Sequence, residues 1–276
     1  YGSYEAMLAD PAVDLVYIAT PHSLHAEQAI ACMRAGKPVL VEKAFAANLE
    51  QARAVIDESD KTGLYCGEAI WTRYMPSRAI IDRIIDSGRI GAVTGINANL
   101  CYPMTHKARL TDPNLAGGAL LDVGIYPLTF IDMVMGAQEI DHLATSMQPY
   151  PTGVDAQSTT TLYYADTTMA TALSSMLCVS DRGGMVYGTE GYLVCHNVNN
   201  VSAVDIYNTD HARVDHIDMP EQLTGYEYEV AASVQAIRAG KRDTIEMPHA
   251  DTLRMMALLD QIRDEWGLVF PFEHQD

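Results

Sequence analysis

The sequence predicts an α/β unit followed by an α+β unit: a Rossmann-type parallel sheet, incomplete on its N-terminal side, then a domain built on a large open antiparallel β-sheet. Three observations carry this. Strand-like and helical runs alternate over residues 1–70, the pattern of a parallel sheet with crossover helices. Beyond residue 90 the strand-like runs follow one another through turns, as in an antiparallel sheet. The first three strands also end in polar or aromatic residues, TPHSLH, EKAF and EAIWTR, and so place them along one sheet edge.

Each element has a local reason. Residues 13–20, VDLVYIAT, form an apolar, β-branched run stopped by Thr20-Pro21. HSLHAEQAIACMRAG (22–36) has helical apolar spacing and ends on Gly36. KPVLVEK (37–43) is a buried strand, its apolar run ending in the charges Glu42 and Lys43. The next helix, 48–63, has Asn48 as N-cap and Gly63 as stop, and LYCGEA (64–69) is the third strand. PSRAIIDRIIDSG (76–88) is an amphipathic helix. Strands are expected at 90–102, 158–165, 168–177, 183–196 and 202–208, interrupted by a helix over 117–136. The last clear helix is 249–267. No repeat or low-complexity linker occurs, so two interlocked domains are expected, 1–70 and 71–276, with the final helix packing back on the first.

Composition narrows the function. The chain has 276 residues, 20% of them charged, and a formal net charge of −18. An acidic surface repels phosphates at long range, which argues against a nucleic-acid groove. No uninterrupted apolar run has the length of a membrane span, and no signal peptide is visible at the N-terminus. Cys32, Cys66, Cys101, Cys178 and Cys195 form no CxxC pair, so neither a zinc site nor a disulfide framework is indicated. A soluble cytoplasmic protein is the expectation. The start, YGSYEAML, lacks Met and falls in the middle of an architecture, so upstream residues are expected to be missing.

Several side chains are placed to do chemistry. Lys43, at the mouth of a buried strand, would face a cleft, where desolvation favours the neutral amine. A solvated loop lysine paired only with Glu42 is the plainer alternative. Asp122 and Tyr126 in DVGIY are four apart, share one helix face, and are polar within the apolar segment ALLDVGIYPLTF. They are either a site or an internally satisfied core pair. His22 and His25 stand on the binding edge without a third metal ligand. Trp71 and Arg73 offer an aromatic wall and a polar anchor, with plain packing equally open for Trp71. No G-x-S-x-G elbow supports a hydrolase.

TPHSLHAEQA, then VEK, then WTRYMP, then GGALLDVGIYPL, in this order, resemble the glucose–fructose oxidoreductase/inositol dehydrogenase family (Gfo/Idh/MocA) over nearly the whole chain. The likeness is greatest to its branch of dimeric dihydrodiol dehydrogenases and NADP-dependent D-xylose dehydrogenases. The resemblance implies an NADP or NAD cofactor, hydride transfer at a sugar or diol carbon, and a homodimer through the open sheet. It also implies that Lys43, Asp122 and Tyr126 are catalytic and that Thr20, Pro21, His22, His25, Glu42, Lys43, Trp71 and Arg73 lie on the cofactor side. Removing the hydroxyl proton during oxidation requires a base. A phenol with pKa near ~10 needs a neighbouring cation, for which Lys43 is the candidate.

Two departures bear on this expectation. Ala44 stands where the family's E-K-P motif has proline, and no G-x-G-x-x-G occurs. This chain by itself is therefore expected to bind nucleotide weakly. The competing expectation is a truncated, catalytically inactive relative that serves as a sugar-binding or dimeric interaction protein.

Overall fold

The computed structural model describes residues 1–274. A short helix α1 (Tyr4–Leu8) leads to strand β1 (Val16–Ile18), helix α2 (His22–Arg34), strand β2 (Val39–Glu42), helix α3 (Leu49–Thr62) and strand β3 (Cys66–Ala69). The three strands pair in parallel in the order β1-β2-β3, with Val16 opposite Val39 and Val39 opposite Cys66. Val39, Leu40 and Val41 of the central strand are completely buried, which is why that run is apolar without alternation. Helix α3 is delimited as its sequence predicts. Asn48 accepts a hydrogen bond from Gln51 N at 2.9 Å, and Gly63 takes the left-handed conformation at φ +70°.

Helix α4 (Pro76–Asp86) joins this unit to an eight-stranded sheet. The sheet comprises β4 (Val93–Cys101), β5 (Ile140–Pro149), β6 (Asp155–Tyr164), β7 (Met169–Ser175), β8 (Gly184–Gly188), β9 (Gly191–His196), β10 (Ala203–Asn208) and β11 (Arg213–Asp218). Its order is β11-β10-β9-β8-β4-β7-β6-β5. The sheet is mixed rather than purely antiparallel, because β4 and β7 run parallel, from Gly95 opposite Met169 to Cys101 opposite Ser175. Between β4 and β5 the chain makes a helical excursion through α5 (Ala108–Thr111), a π-helical turn at Leu120–Gly124 and α6 (Ile125–Met135). It re-enters at the far edge with its direction restored, so the return through β6 brings β7 parallel to β4.

The excursion covers one sheet face and leaves the other open. Ile96, Ala98 and Leu100 of β4 point into the buried side together with Leu121, Phe130 and Ile131 of the excursion. By length and composition Pro113–Met135 would suit a membrane span. Its burial beneath the sheet accounts for that apolarity. Helices α7 (Glu227–Arg238) and α8 (His249–Trp266) close the molecule, with α8 lying against α3, α6 and β5.

Besides the short helices α1 and α5, the sequence carries no expectation for β5, β11 and α7. The two strands are the sheet edges, where both faces are largely exposed and apolar alternation is not required. Only Glu229, Ser233 and Ala236 of α7 are buried, too few to print an apolar stripe. The run 183–196 is also two strands, β8 and β9, paired as a hairpin with Tyr187 opposite Tyr192.

Candidate active site

A cleft of about 670 Å³ opens at the carboxyl ends of β1 and β2. Thr20, Pro21 and His22 follow β1, Glu42 and Lys43 terminate β2, and all five line it. Open parallel sheets bind ligands in this position because the strand ends and helix starts converge there. The opposite wall comes from the excursion (Tyr102, Met104, His106, Lys107, Arg109, Asp122, Val123 and Tyr126), from Asn199 of the β9–β10 connection and from Tyr226, which precedes α7.

Asp122 is delivered by an unusual local structure. Gly118 has φ +121°, and a Cβ there would stand 2.0 Å from Asp155 Oδ1, so no other residue fits. That close approach lets the Asp155 carboxylate of β6 accept from Leu120 N at 2.7 Å, capping the helical turn from outside. Burial pushes the Asp155 carboxyl up to about 7, against the pull of backbone N–H donors. The turn it caps is π-wound, a form often found at functional sites, and it carries Asp122.

Lys43 Nζ donates to the Asp122 backbone oxygen at 2.6 Å and to Asp122 Oδ1 at 3.3 Å. The Lys43 side chain is only 12% exposed and that of Asp122 4%, so this pair is substantially desolvated. Arg109 also donates to Asp122 Oδ1. Burial pushes the Asp122 carboxyl up, but Lys43 and Arg109 outweigh it and hold the group well below the usual carboxylate range. Asp122 is ionised at neutral pH and pins the ammonium in place.

Tyr126 is buried, with its ring beneath Lys43 Nζ at 5.0 Å from the centroid. Its phenol is raised well above the ordinary value, first by burial and then by Glu42, Tyr226 and Asp122. The expectation that Lys43 depresses it is therefore corrected. The ammonium stacks over the ring face and is committed to Asp122, while the acidic groups around the phenol keep it protonated. His22 Nδ1 stands 3.0 Å from Ala116 O, which can only accept, so this nitrogen carries the proton and Nε2 a lone pair. Burial, with His25 and Lys43 adding, pushes His22 down to about 4, so the ring is neutral at pH 7.

Three expected cofactor contacts lie outside the cleft lining. His25 is fully buried, with Nδ1 2.9 Å from Ala44 O and Nε2 2.7 Å from Thr20 O; it stitches the loops after β1 and β2 instead of facing a ligand. Trp71 stacks on Tyr226 at 4.5 Å and 12°, behind the wall that Tyr226 presents. Arg73 is drawn into the interior by carboxylates: it pairs with Asp132 at 2.8 Å and with Asp251, and Nε donates to Glu246 O at 2.9 Å. Glu42 accepts from the Tyr17 hydroxyl and the Lys43 amide.

Sequence reasoning missed Tyr102, Met104, His106, Lys107, Arg109, Asn199 and Tyr226. For three of them a signal existed: His106, Lys107 and Arg109 concentrate basic side chains within four residues of a strongly acidic chain. Nothing local marks the other four, which reach the cleft from separated segments.

The fold and this site define a two-domain nicotinamide-nucleotide oxidoreductase. Residues 1–69 match the oxidoreductase family with an NAD-binding Rossmann fold, and residues 79–194 match the GFO/IDH/MocA C-terminal domain. The chain belongs to the Gfo/Idh/MocA oxidoreductase family. It is 29% identical to trans-1,2-dihydrobenzene-1,2-diol dehydrogenase of Danio rerio, across 100% of this chain and 84% of that protein. The Homo sapiens protein of the same name is also 29% identical, over 98% and 83%. A 3-ketoreductase from Actinomadura kijaniata, in complex with NADP and TDP-benzene, superimposes with a TM-score of 0.85 at 25% identity, covering 95% of this chain and 81% of that one. The aldose-aldose oxidoreductase of Caulobacter crescentus shares the fold, with a TM-score of 0.85 at 20% identity over 97% and 82%.

Proposed function

We propose that this oxidoreductase interconverts an alcohol and a carbonyl on a sugar or a vicinal diol, using NADP or NAD. The observation that carries the reading is the convergence of Lys43, Asp122 and Tyr126 at the carboxyl ends of the parallel strands, in a cleft with room for a nicotinamide and a small polyol. Thr20, Pro21, His22 and Glu42 fit the nicotinamide end, with polar groups and a β1–α2 turn at the strand mouth. When bound, the nicotinamide supplies or accepts the hydride.

The chain's own residues handle the proton and the geometry. In carbonyl reduction, the protonated Tyr126 phenol donates to the carbonyl oxygen; in oxidation, the same oxygen takes the hydroxyl proton. Lys43 Nζ spends hydrogen bonds on Asp122 and keeps donor capacity for the substrate oxygen, stabilising charge that develops there. Asp122, held ionised, fixes the ammonium within about hydrogen-bond reach of that oxygen. The wall of Tyr102, Met104 and Tyr226 shields the reacting centre from water.

The test is turnover of NADPH or NADH with a panel of diols, aldoses and ketoses. Tyr126→Phe should lower kcat by ~10²–10⁴-fold and leave nucleotide affinity nearly intact, because the phenol acts on substrate. Full activity in that variant would remove Tyr126 from the chemistry. Absence of turnover on the whole panel would favour a binding protein.

Two further parts of the reading concern context. We propose a homodimer through the open sheet face, supported by exposed Met169, Leu173 and Tyr187 and by the stacked Tyr192–Tyr207 pair at 4.8 Å. Light scattering should give twice the chain mass, and Leu173→Glu should reduce it to a monomer. We also propose a cytoplasmic location without membrane or nucleic-acid partners, supported by five free thiols and the net charge of −18.

A further inference from the structure

The two sides of the cleft differ in hydrogen-bonding character. Acceptors stand at the strand mouth: the Glu42 carboxylate and the Nε2 lone pair of His22. On the opposite wall the single carboxylate, Asp122, already takes Lys43 and Arg109 on one oxygen. What remains of that wall is rich in donors. Lys107 is exposed, and no ion pair engages it among the described residues. Arg109 uses only Nη1 on Asp122 and is 40% exposed, which leaves most of its N–H fork free among the described residues. The Tyr102 hydroxyl accepts from Arg182 Nη1 at 3.2 Å and so keeps its own proton to give. Asn199, whose Oδ1 is buried without a partner among the described residues, adds an amide, and His106 adds an imidazole N–H.

Backbone hydrogen bonds hold this wall in place. Tyr102 N donates to Ser175 O and Met104 N to Met176 O, each at 3.0 Å, which fastens the segment to the end of β7. Lys107 N donates to Met104 O and Leu110 N to Lys107 O, also at 3.0 Å, so the turn carrying Lys107 is closed on both sides. Nearby carboxylates are turned to their own loops. Asp112 Oδ1 accepts from Asn114 N and Nδ2, and Asp181 Oδ1 accepts from Asn99 Nδ2 and Gly183 N. The chain has 36 acidic residues against 18 Lys and Arg, yet the cleft lining reverses the balance, with Lys43, Lys107 and Arg109 against Glu42 and Asp122. A sugar hydroxyl both donates and accepts. A surface of donors suits a group that only accepts, which is a carboxylate or a phosphate.

We propose that the substrate bears an anionic group, a carboxylate or a phosphate monoester, held by Lys107, Arg109 and Tyr102 while Lys43 and Tyr126 act at the reacting carbon. The substrate class is a sugar acid or a sugar phosphate rather than a neutral polyol. This class presupposes the oxidoreductase reading of the cleft, and Lys107 is the residue that selects it. Its ammonium meets the anion equally in the ground state and the transition state, so it acts on KM rather than kcat.

D-Glucose, D-glucuronate and D-glucose 6-phosphate share a ring and differ in one terminal group, so they form a matched set for oxidation with NADP or NAD. At least one anionic sugar should exceed glucose in kcat/KM by about tenfold, and the advantage should shrink as salt is raised. The member that gains identifies the anion. Lys107→Glu should erase the advantage through KM, and Lys107→Arg, which keeps the charge, should retain it. Glucose turned over as well as both anions, or an advantage indifferent to Lys107→Glu, overturns the proposal.

A second readout needs no turnover. Lysines of the full chain are acetylated with N-hydroxysuccinimidyl acetate and mapped by peptide mass. Glucuronate or glucose 6-phosphate should slow labelling of Lys107 several-fold and glucose should not, while exposed Lys241 labels at one rate throughout. Turnover of sugars without this protection leaves the functional reading standing and removes the anion site. Protection without turnover does the reverse. Protection by NADP that neither sugar anion reproduces would assign the wall to the cofactor's phosphates and also overturn the proposal.

Discussion

Glu229 is completely buried on α7, and among the described residues neither carboxylate oxygen has a hydrogen-bond partner. Burial pushes its pKa up to about 8, and repulsion from Glu42 adds to the rise. In the unfolded chain the same group titrates near its ordinary value of 4.5. The folded state therefore holds one more proton than the unfolded state between those two values. Stability falls as pH rises through the window, by about 1.4 kcal/mol per pH unit for one group. The accumulated loss is about 3 kcal/mol at neutral pH and levels off above the folded pKa. Glu229→Gln keeps the shape and removes the charge. It should unfold in urea much like the wild type near pH 5 and become progressively more stable than it as pH rises towards about 8. Glu68 and Asp155, each raised to about 7 chiefly by burial, tilt both proteins in the same direction, so the difference between them isolates Glu229. A gap that stays constant from acid to alkaline pH would refute an uncompensated buried carboxyl. The consequence reaches the site, because α7 follows directly on Tyr226, a cleft wall residue.

Two other outcomes follow from the charge pairs. Arg73→Met should destabilise the protein by about 3–5 kcal/mol in denaturant melts, because it strands Asp132 and Asp251 in a largely buried network that Arg254 alone must then neutralise. A loss below about 1 kcal/mol would show that Arg254 suffices. Asp122→Asn should lower kcat at least ~10²-fold while the fold persists, since Arg109 is 40% exposed and can relax into water whereas Lys43 loses the group that orients it. Unchanged kcat would make the Lys43–Asp122 pair structural.

What was legible in the sequence is what local physics writes into it. The parallel unit printed itself because a strand covered on both faces must be apolar throughout, as in Val39–Val41, and because helix ends need caps, as at Asn48 and Gly63. The polar strand ends pointed to a cleft at Glu42 and Lys43, whereas the D-x-x-x-Y spacing left Asp122 and Tyr126 open as a core pair and only the family resemblance set them beside Lys43; all four line one cleft. The illegible part was whatever depends on distant partners. Arg73 reads as a cleft anchor until Asp132, Asp251 and Glu246 arrive from segments far along the chain to satisfy it. Edge strands β5 and β11 have no buried face to enforce alternation.

The Lys43–Tyr126 relationship illustrates the difference between proximity and electrostatic effect. The fold brings the two together, yet the outcome for the phenol depends on the sum of all neighbours. Lys43 is answered by Asp122, and Glu42 and Tyr226 act on the phenol from the other side, so the local balance favours the protonated form. A protonated phenol is ready to donate in carbonyl reduction, while alcohol oxidation must first overcome the cost of forming phenolate in this acidic shell. An oxidised nicotinamide held at the strand mouth by Thr20, Pro21, His22 and Glu42 would add a cation and so would lower that cost. On the proposed reading, Tyr126 would then donate a proton without oxidised nucleotide and accept one more readily with it. This predicts different pH limbs in the two directions: oxidation should gain rate as pH rises, and reduction should lose it. Tyr126→Phe should remove both limbs. If both directions share one pH profile in the wild type, the phenol is not the group that changes protonation state.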